Sequence, residues 1–211
     1  MQIRLIRHGQ SQANTAEVDV RDVGDHAVEL TALGRQQARD VGSRLGAELV
    51  GNALVYRSPY RRTRQTLDCL IEGAGLSPSA VRIHEDPRLR EVDHGYQDVG
   101  EQEAHRAVHG WFYYRFDGGE SPADCYDRTS GFLESVMRQA LRKQSRNVLV
   151  VTHGLTIRCF AMLFLHLSVE QFCQLANPHN CDVVTIAHRE TLAAPQFVSG
   201  RWGVEGLRLR G

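Results

Sequence analysis

Two histidine-glycine pairs carry the chemical potential of this sequence. His8-Gly9 follows the apolar residues Ile3, Leu5 and Ile6, with Arg7 immediately before it and Ser11 and Asn14 shortly after. An imidazole can attack an electrophile or carry a proton. Arg7 brings a rigid fork of donors and Asn14 a further amide donor. Together these groups suit a tetrahedral dianion, and Gly9 is expected to let the chain turn sharply and approach a ligand closely. The second pair, His153-Gly154, closes the run Val148-Leu149-Val150-Val151-Thr152. One such pair arises readily by chance, and a lone His after a strand is usually structural. Two that end separate apolar runs point to one sheet edge, where open α/β folds bind ligands.

Positioning these groups requires a sheet covered by helices. The runs 3–6, 53–56, 81–84 and 148–152 read as strands, short and continuously apolar where both faces are buried. Another strand is expected over 182–188, with Phe197, Val198 and Trp202 forming an edge. One helix should begin at Thr31 as N-cap, burying Leu33, Gln37, Val41 and Leu45 with Ala38 and Leu49. A second should use Ser58 as N-cap with Pro59 in its first turn, burying Tyr60, Thr63, Leu67, Leu70 and Ile71. A third starts at Ser121-Pro122-Ala123-Asp124, a capping-box pattern, with Tyr126, Ser130, Leu133, Met137, Ala140 and Leu141 inward. The segment 155–164 is apolar nearly all round, as a buried helix is. Its start beside His153 adds a helix dipole to a positive pocket. Residues 15–29 show no period and read as a loop beside the site, and 101–109 read as a short helix.

Arg57, Arg61, Arg62 and Arg64 crowd one helix start. They form either a solvated basic face or a place where one guanidinium joins a helix N-terminus in holding an anion. Glu91 and Asp93 share a loop, and a carboxyl held near other anions or desolvated can keep a proton to donate; an exposed carboxylate is the plain alternative. Trp111 to Phe116 suit the buried core of a lid better than a nucleobase platform, which goes with a broader basic surface. His105 and His109 have the spacing of a metal pair without an evident third ligand, so no metal and no cofactor is expected.

In order along the chain, Arg7-His8-Gly9, the segment Ser58 to Thr66, Leu89-Arg90-Glu91 followed by Gly95, and His153-Gly154 resemble the motifs of the histidine phosphatase superfamily, the phosphoglycerate mutase-like proteins. The resemblance covers nearly the whole chain. It implies an α/β fold, a three-layer αβα sandwich with a mostly parallel central sheet, in one domain over 1–211 with a lid or specificity region around 90–120. It also implies a phosphohistidine intermediate on His8. Matching Ser58 and Thr66 to the pattern Ser-x-x-x-Arg-Ala-x-x-Thr places the phosphate-binding arginine at Arg62, with Thr63 replacing the usual Ala. Arg7, Asn14, Arg62 and His153 would surround the phosphoryl group and Glu91 would protonate the leaving oxygen. Gly119-Glu120-Ser121 resembles a segment of the phosphatase branches, which would bring Glu120 or Ser121 near substrate. The chain is shorter than the glycolytic mutases and lacks their long insertion. A phosphomonoester hydrolase is therefore favoured over a 2,3-bisphosphoglycerate-dependent mutase, and a non-catalytic phospho-ligand or protein interaction domain is the remaining alternative.

Composition narrows the partners. The 211 residues carry 25 basic and 25 acidic side chains, so no overall field attracts a polyanion. A small-molecule phosphate ester is expected as partner, and nucleic acid is not. No apolar run approaches the ~18 residues of a membrane span, and no secretory leader is evident. The five cysteines, Cys69, Cys125, Cys159, Cys173 and Cys181, are odd in number and lack C-x-x-C spacing. Reduced thiols in a cytoplasmic protein are expected. A homodimer and a monomer are equally compatible with the sequence.

Overall fold

The computed structural model describes residues 1–98 and 100–210; Val99, inside the expected specificity region, and Gly211 lie outside the described residues. The strands are β1 (Gln2–Arg7), β2 (Leu54–Arg57), β3 (Ile83–Glu85), β4 (Asn147–Thr152), β5 (Leu175–Ala176), β6 (Val183–His188), β7 (Phe197–Ser199), β8 (Trp202–Glu205) and β9 (Arg208–Leu209). The helices are α1 (Val20–Val23), α2 (Ala32–Asn52), α3 (Arg61–Gly73), α4 (Glu103–His109), α5 (Pro122–Arg142), α6 (Gly154–Leu165) and α7 (Val169–Cys173). Seven strands form one sheet in the order β3-β2-β4-β1-β6-β8-β7. The first four run parallel, and from β1 outward each neighbouring pair is antiparallel. β5 and β9 make a separate small antiparallel pair.

The central strands are apolar throughout because both of their faces are covered. Along β4, Val148 and Val150 enter the core formed with α5 and α6, while Leu149 and Val151 enter the core formed with α2 and α3. Ile3 and Leu5 of β1 likewise face the first core and Ile6 the second. This is the expected three-layer α/β sandwich. Fully buried Phe132 and Phe160 anchor the α5–α6 layer, each contributing about 1.5–3 kcal/mol through burial.

Helix starts read from local chemistry hold at two of three places. Thr31 accepts from the Gly34 N–H, and Ser121 with Asp124 forms the reciprocal capping box. Ser58 is not an N-cap: α3 begins at Arg61, with Tyr60 as its cap residue and Pro59 outside the first turn. The faces of two helices also differ from expectation. In α2 the inward residues are Gly34, Ala38, Val41, Gly42 and Val50, and Leu33 is 53% exposed. The reason is close approach. A Cβ at Gly42 would lie 2.0 Å from the Leu70 carbonyl oxygen, and one at Gly73 would lie 2.1 Å from that of Arg39. α2 and α3 therefore meet backbone to backbone, and the small residues, not the large ones, mark the contact. In α5 the buried line is Cys125, Thr129, Phe132, Val136 and Ala140, while Leu133 and Met137 flank it and Leu141 is exposed.

Candidate active site

Strand register brings the two histidines together. β1 and β4 pair in parallel with Arg7 opposite Thr152, so the next residue of each strand, His8 and His153, leaves the sheet at the same level. The His8 N–H donates to the Thr152 carbonyl at 3.0 Å, and the two rings lie 5.2 Å apart, edge to face. β2 lies on the other side of β4 with Arg57 opposite Val151, which delivers Ser58 to the same edge. Its Oγ is 2.8 Å from His153 Nε2. This is the carboxyl edge of the parallel strands, where such sheets bind ligands.

His8 is buried, and its Nδ1 donates to the Gly9 carbonyl at 2.8 Å. With the proton fixed there, Nε2 carries the lone pair. Arg62 Nε reaches that atom at 3.3 Å. Burial first, then the Arg62 and Arg7 guanidinium groups, hold the His8 pKa well below the ordinary 6.5, which keeps the ring neutral. His153 is depressed in the same direction by burial, Arg62 and His8. Both rings are thus uncharged in the unliganded pocket, which is the state a nucleophilic nitrogen requires.

Arg7 donates through Nη1 to the Pro178 carbonyl at 2.6 Å. Two buried nitrogens at this edge, Arg7 Nε and His153 Nδ1, have no hydrogen-bond partner. Buried polar atoms are normally satisfied, and acceptor oxygens brought to this edge would satisfy both orphans. Of the four crowded arginines, Arg57 pairs with Asp68 and Glu85, Arg61 with Glu29, and Arg64 with Glu85. Arg62 alone turns inward, and Arg57 serves the surface rather than the pocket. The Tyr60 ring packs 5.1 Å from the His153 ring and 5.0 Å from the Arg62 guanidinium carbon. Burial and the Asp25 carboxylate push its phenol up to about 12.

Asn14 uses its Oδ1 to accept from the Ser11 N–H and from Asn180 Nδ2, both at 3.1 Å. Its carbonyl end ties the loop together, leaving the amide nitrogen as the donating end. Glu91 accepts from the Val92 N–H at 3.1 Å and from the Leu155 N–H, in the first turn of α6, at 3.4 Å. It lines a cavity of about 90 Å³ shared with Arg106, Trp111, Phe116, Arg158 and Asn177. Phe112 and Phe116 are buried, whereas Tyr113 is exposed. Glu120 and Ser121 are engaged within the protein: Glu120 is bound by Arg90 and Arg128, and Ser121 caps α5. Gly9 also acts otherwise than expected. Its φ is not positive, and its lack of a side chain serves packing, since a Cβ there would be 2.4 Å from the Gly34 carbonyl oxygen. Among the described residues, no group of three or more His, Cys, Asp or Glu could hold a metal ion. No described helix is long and apolar enough to cross a membrane.

A family model described as the histidine phosphatase superfamily (branch 1) matches residues 3–197. The chain belongs to that superfamily. Among its relatives, the phosphoglycerate mutase-like protein AT74 of Arabidopsis thaliana is 38% identical over 200 residues, covering 86% of this chain and 63% of its own. The broad-range acid phosphatase DET1 of Saccharomyces cerevisiae is 25% identical, covering 90% of this chain and 86% of its own. The mycobacterial glucosyl-3-phosphoglycerate phosphatase Rv2419c, in complex with VO3, shares the fold with a TM-score of 0.70 and 24% identity, over 99% of this chain and 96% of that one.

Four residues hold the site in ways that the sequence did not indicate. Ser58 orients His153, and Thr66 accepts the Gly9 N–H at 3.0 Å. Asn180 holds the His8 carbonyl at 3.1 Å, and Asp25 pairs with Arg62. Asn180 stands in the turn Asn177-Pro178-His179-Asn180, whose composition signals a turn but not its neighbour 172 residues away.

Proposed function

We propose that this member of the histidine phosphatase superfamily is a phosphomonoester hydrolase working through a phosphohistidine on His8. The observation that carries the reading is the 2.8 Å bond from His8 Nδ1 to the Gly9 carbonyl, in a pocket that keeps the ring neutral. It leaves the Nε2 lone pair where Arg62, Arg7 and His153 meet. In the first step Nε2 attacks phosphorus in line, the N–P bond forms, and the bond to the leaving oxygen breaks. Glu91, in its protonated form, gives that oxygen its proton. Arg7, Arg62, His153 and the Asn14 amide hold the equatorial oxygens, where the charge of such a transition state is spread. In the second step the Glu91 carboxylate takes a proton from water as the water oxygen bonds phosphorus. The N–P bond then breaks, returning His8 and inorganic phosphate. The leaving group occupies the cavity beside Glu91.

A rapid quench with a labelled phosphomonoester tests the intermediate. Wild-type protein is expected to trap an acid-labile, base-stable phosphoenzyme, and His8→Ala none. Undiminished labelling in His8→Ala would place the nucleophile elsewhere. Free phosphate measured against interconversion of 2- and 3-phosphoglycerate separates hydrolase from mutase, because only the former delivers the phosphoryl group to water.

A further inference from the structure

The arginine assigned to the phosphoryl group is already occupied. Arg62 has five N–H donors, and four of them are used. Nη1 donates to the Asp25 carbonyl at 2.6 Å and to its Oδ1 at 2.7 Å, and Nη2 to Oδ2 at 3.1 Å. Nε donates to His8 Nε2 at 3.3 Å. A paired contact from both Nη groups is how a guanidinium grips a phosphate, and here a carboxylate holds that position. The arrangement also keeps a donor on the lone pair that would attack. Arg62 is 4% exposed, so its pairing with Asp25 is not a screened surface contact.

The segment that brings Asp25 in is lightly anchored. α1, just before it, buries no residue, and neither does the single 3-10 turn Asp25–Ala27. The Asp25 side chain is 36% exposed, and the backbone reaches it through Gly24 at φ 77°, a conformation open to glycine at little cost. Elements with few buried contacts are those that move at low free-energy cost.

We propose that Asp25 is an internal anion that competes with the phosphoryl group for Arg62, thereby setting the phosphate affinity of the site and promoting release of the product. The inference rests on the functional reading above. A phosphoryl group carries about −1.5 to −2 charge near neutrality against −1 for a carboxylate, and it also reaches the orphaned Arg7 Nε and His153 Nδ1. It therefore displaces Asp25 from the guanidinium. When the product leaves, the carboxylate returns to Arg62 and the unliganded pairing is restored. Asp25 acts through Arg62 and is a positioning residue, not a catalytic one.

Calorimetric titration with inorganic phosphate tests this in wild type, Asp25→Asn, Asp25→Ala and Asp25→Glu. Removing the charge should tighten phosphate about tenfold, the scale of one competing charge-assisted contact, and lower KM for p-nitrophenyl phosphate in parallel. Asp25→Glu should restore the weaker binding, and in an Arg62→Ala background the effect of Asp25→Asn should vanish. Phosphate binding that is unchanged or weaker in Asp25→Asn and Asp25→Ala would make Asp25 a fixed bracket for Arg62 and overturn the proposal. A fall in kcat with a rise in KM would do the same. Because the titration needs no turnover, a wild-type protein that binds phosphate but hydrolyses nothing would refute the hydrolase reading while still deciding the role of Asp25.

Discussion

Replacing Arg62 with alanine withdraws a buried guanidinium whose Nε lies 3.3 Å from His8 Nε2. Losing one preorganised donor from such a site costs about 3 kcal/mol of barrier, a little over a hundredfold in turnover. The substitution has a second effect with a definite sign. After burial, Arg62 is the largest influence holding His8 below 6.5. Without it the His8 pKa rises toward that value, and more of the ring is protonated in mildly acid solution. A protonated ring has no lone pair on Nε2, so activity is lost from the acid side. The acid limb of the kcat/KM profile of the free enzyme should therefore move to higher pH, while the basic limb stays in place. Arg62→Lys retains the charge without the fork, so its acid limb should remain near that of wild type although most of the rate is gone. Steady-state kinetics with p-nitrophenyl phosphate between about pH 4 and 8 reads both effects. Turnover above half of wild type in Arg62→Ala, or an acid limb that fails to move, would refute the reasoning.

Glu91→Gln removes the proposed proton donor, and its effect should depend on the leaving group. An alkyl phosphate should lose about 10²–10⁴-fold in rate, whereas p-nitrophenyl phosphate, whose leaving oxygen needs little help, should lose far less in the first step. Equal losses on both substrates in single-turnover measurements of phosphoenzyme formation would remove Glu91 from the acid role. Gly34→Ala would place a Cβ 2.0 Å from the Gln10 carbonyl oxygen, and main chain cannot swing aside as a side chain can. About 2–3 kcal/mol of stability should be lost to overpacking, or about 5–10 °C in Tm for a chain of this size. An unchanged Tm by differential scanning calorimetry would contradict the close approach of α2 to the loop after β1.

Features set within a few residues were legible in the sequence. The run Val148 to Val151 announces a strand covered on both faces, and Thr31 and Ser121 announce helix starts through bonds that span three positions. The buried face of α2 was legible only in part, at Ala38 and Val41. Its contact with α3 is made by absent side chains, at Gly42 and Gly73, and a reading that searches for large apolar residues selects Leu33 instead. Ser58 was misassigned for a related reason. A serine three residues before Arg61 fits a cap as well as a strand end; α3 starts too late for the cap, and the Ser58 hydroxyl meets His153 at 2.8 Å instead.

By itself, the sequence determined which groups could do chemistry: two imidazoles that each end an apolar strand, an arginine beside the first, and a carboxyl in a later loop. It determined the layers too, since apolar runs and caps act over short stretches of chain. The tertiary structure alone decided that His8 and His153 meet, because that depends on the parallel register of β1 with β4, Arg7 against Thr152. It also decided that Arg62, which the motif match had singled out among four arginines, is held by Asp25. Charges choose partners by distance through space, and the distances are fixed only when strands far apart in sequence have paired.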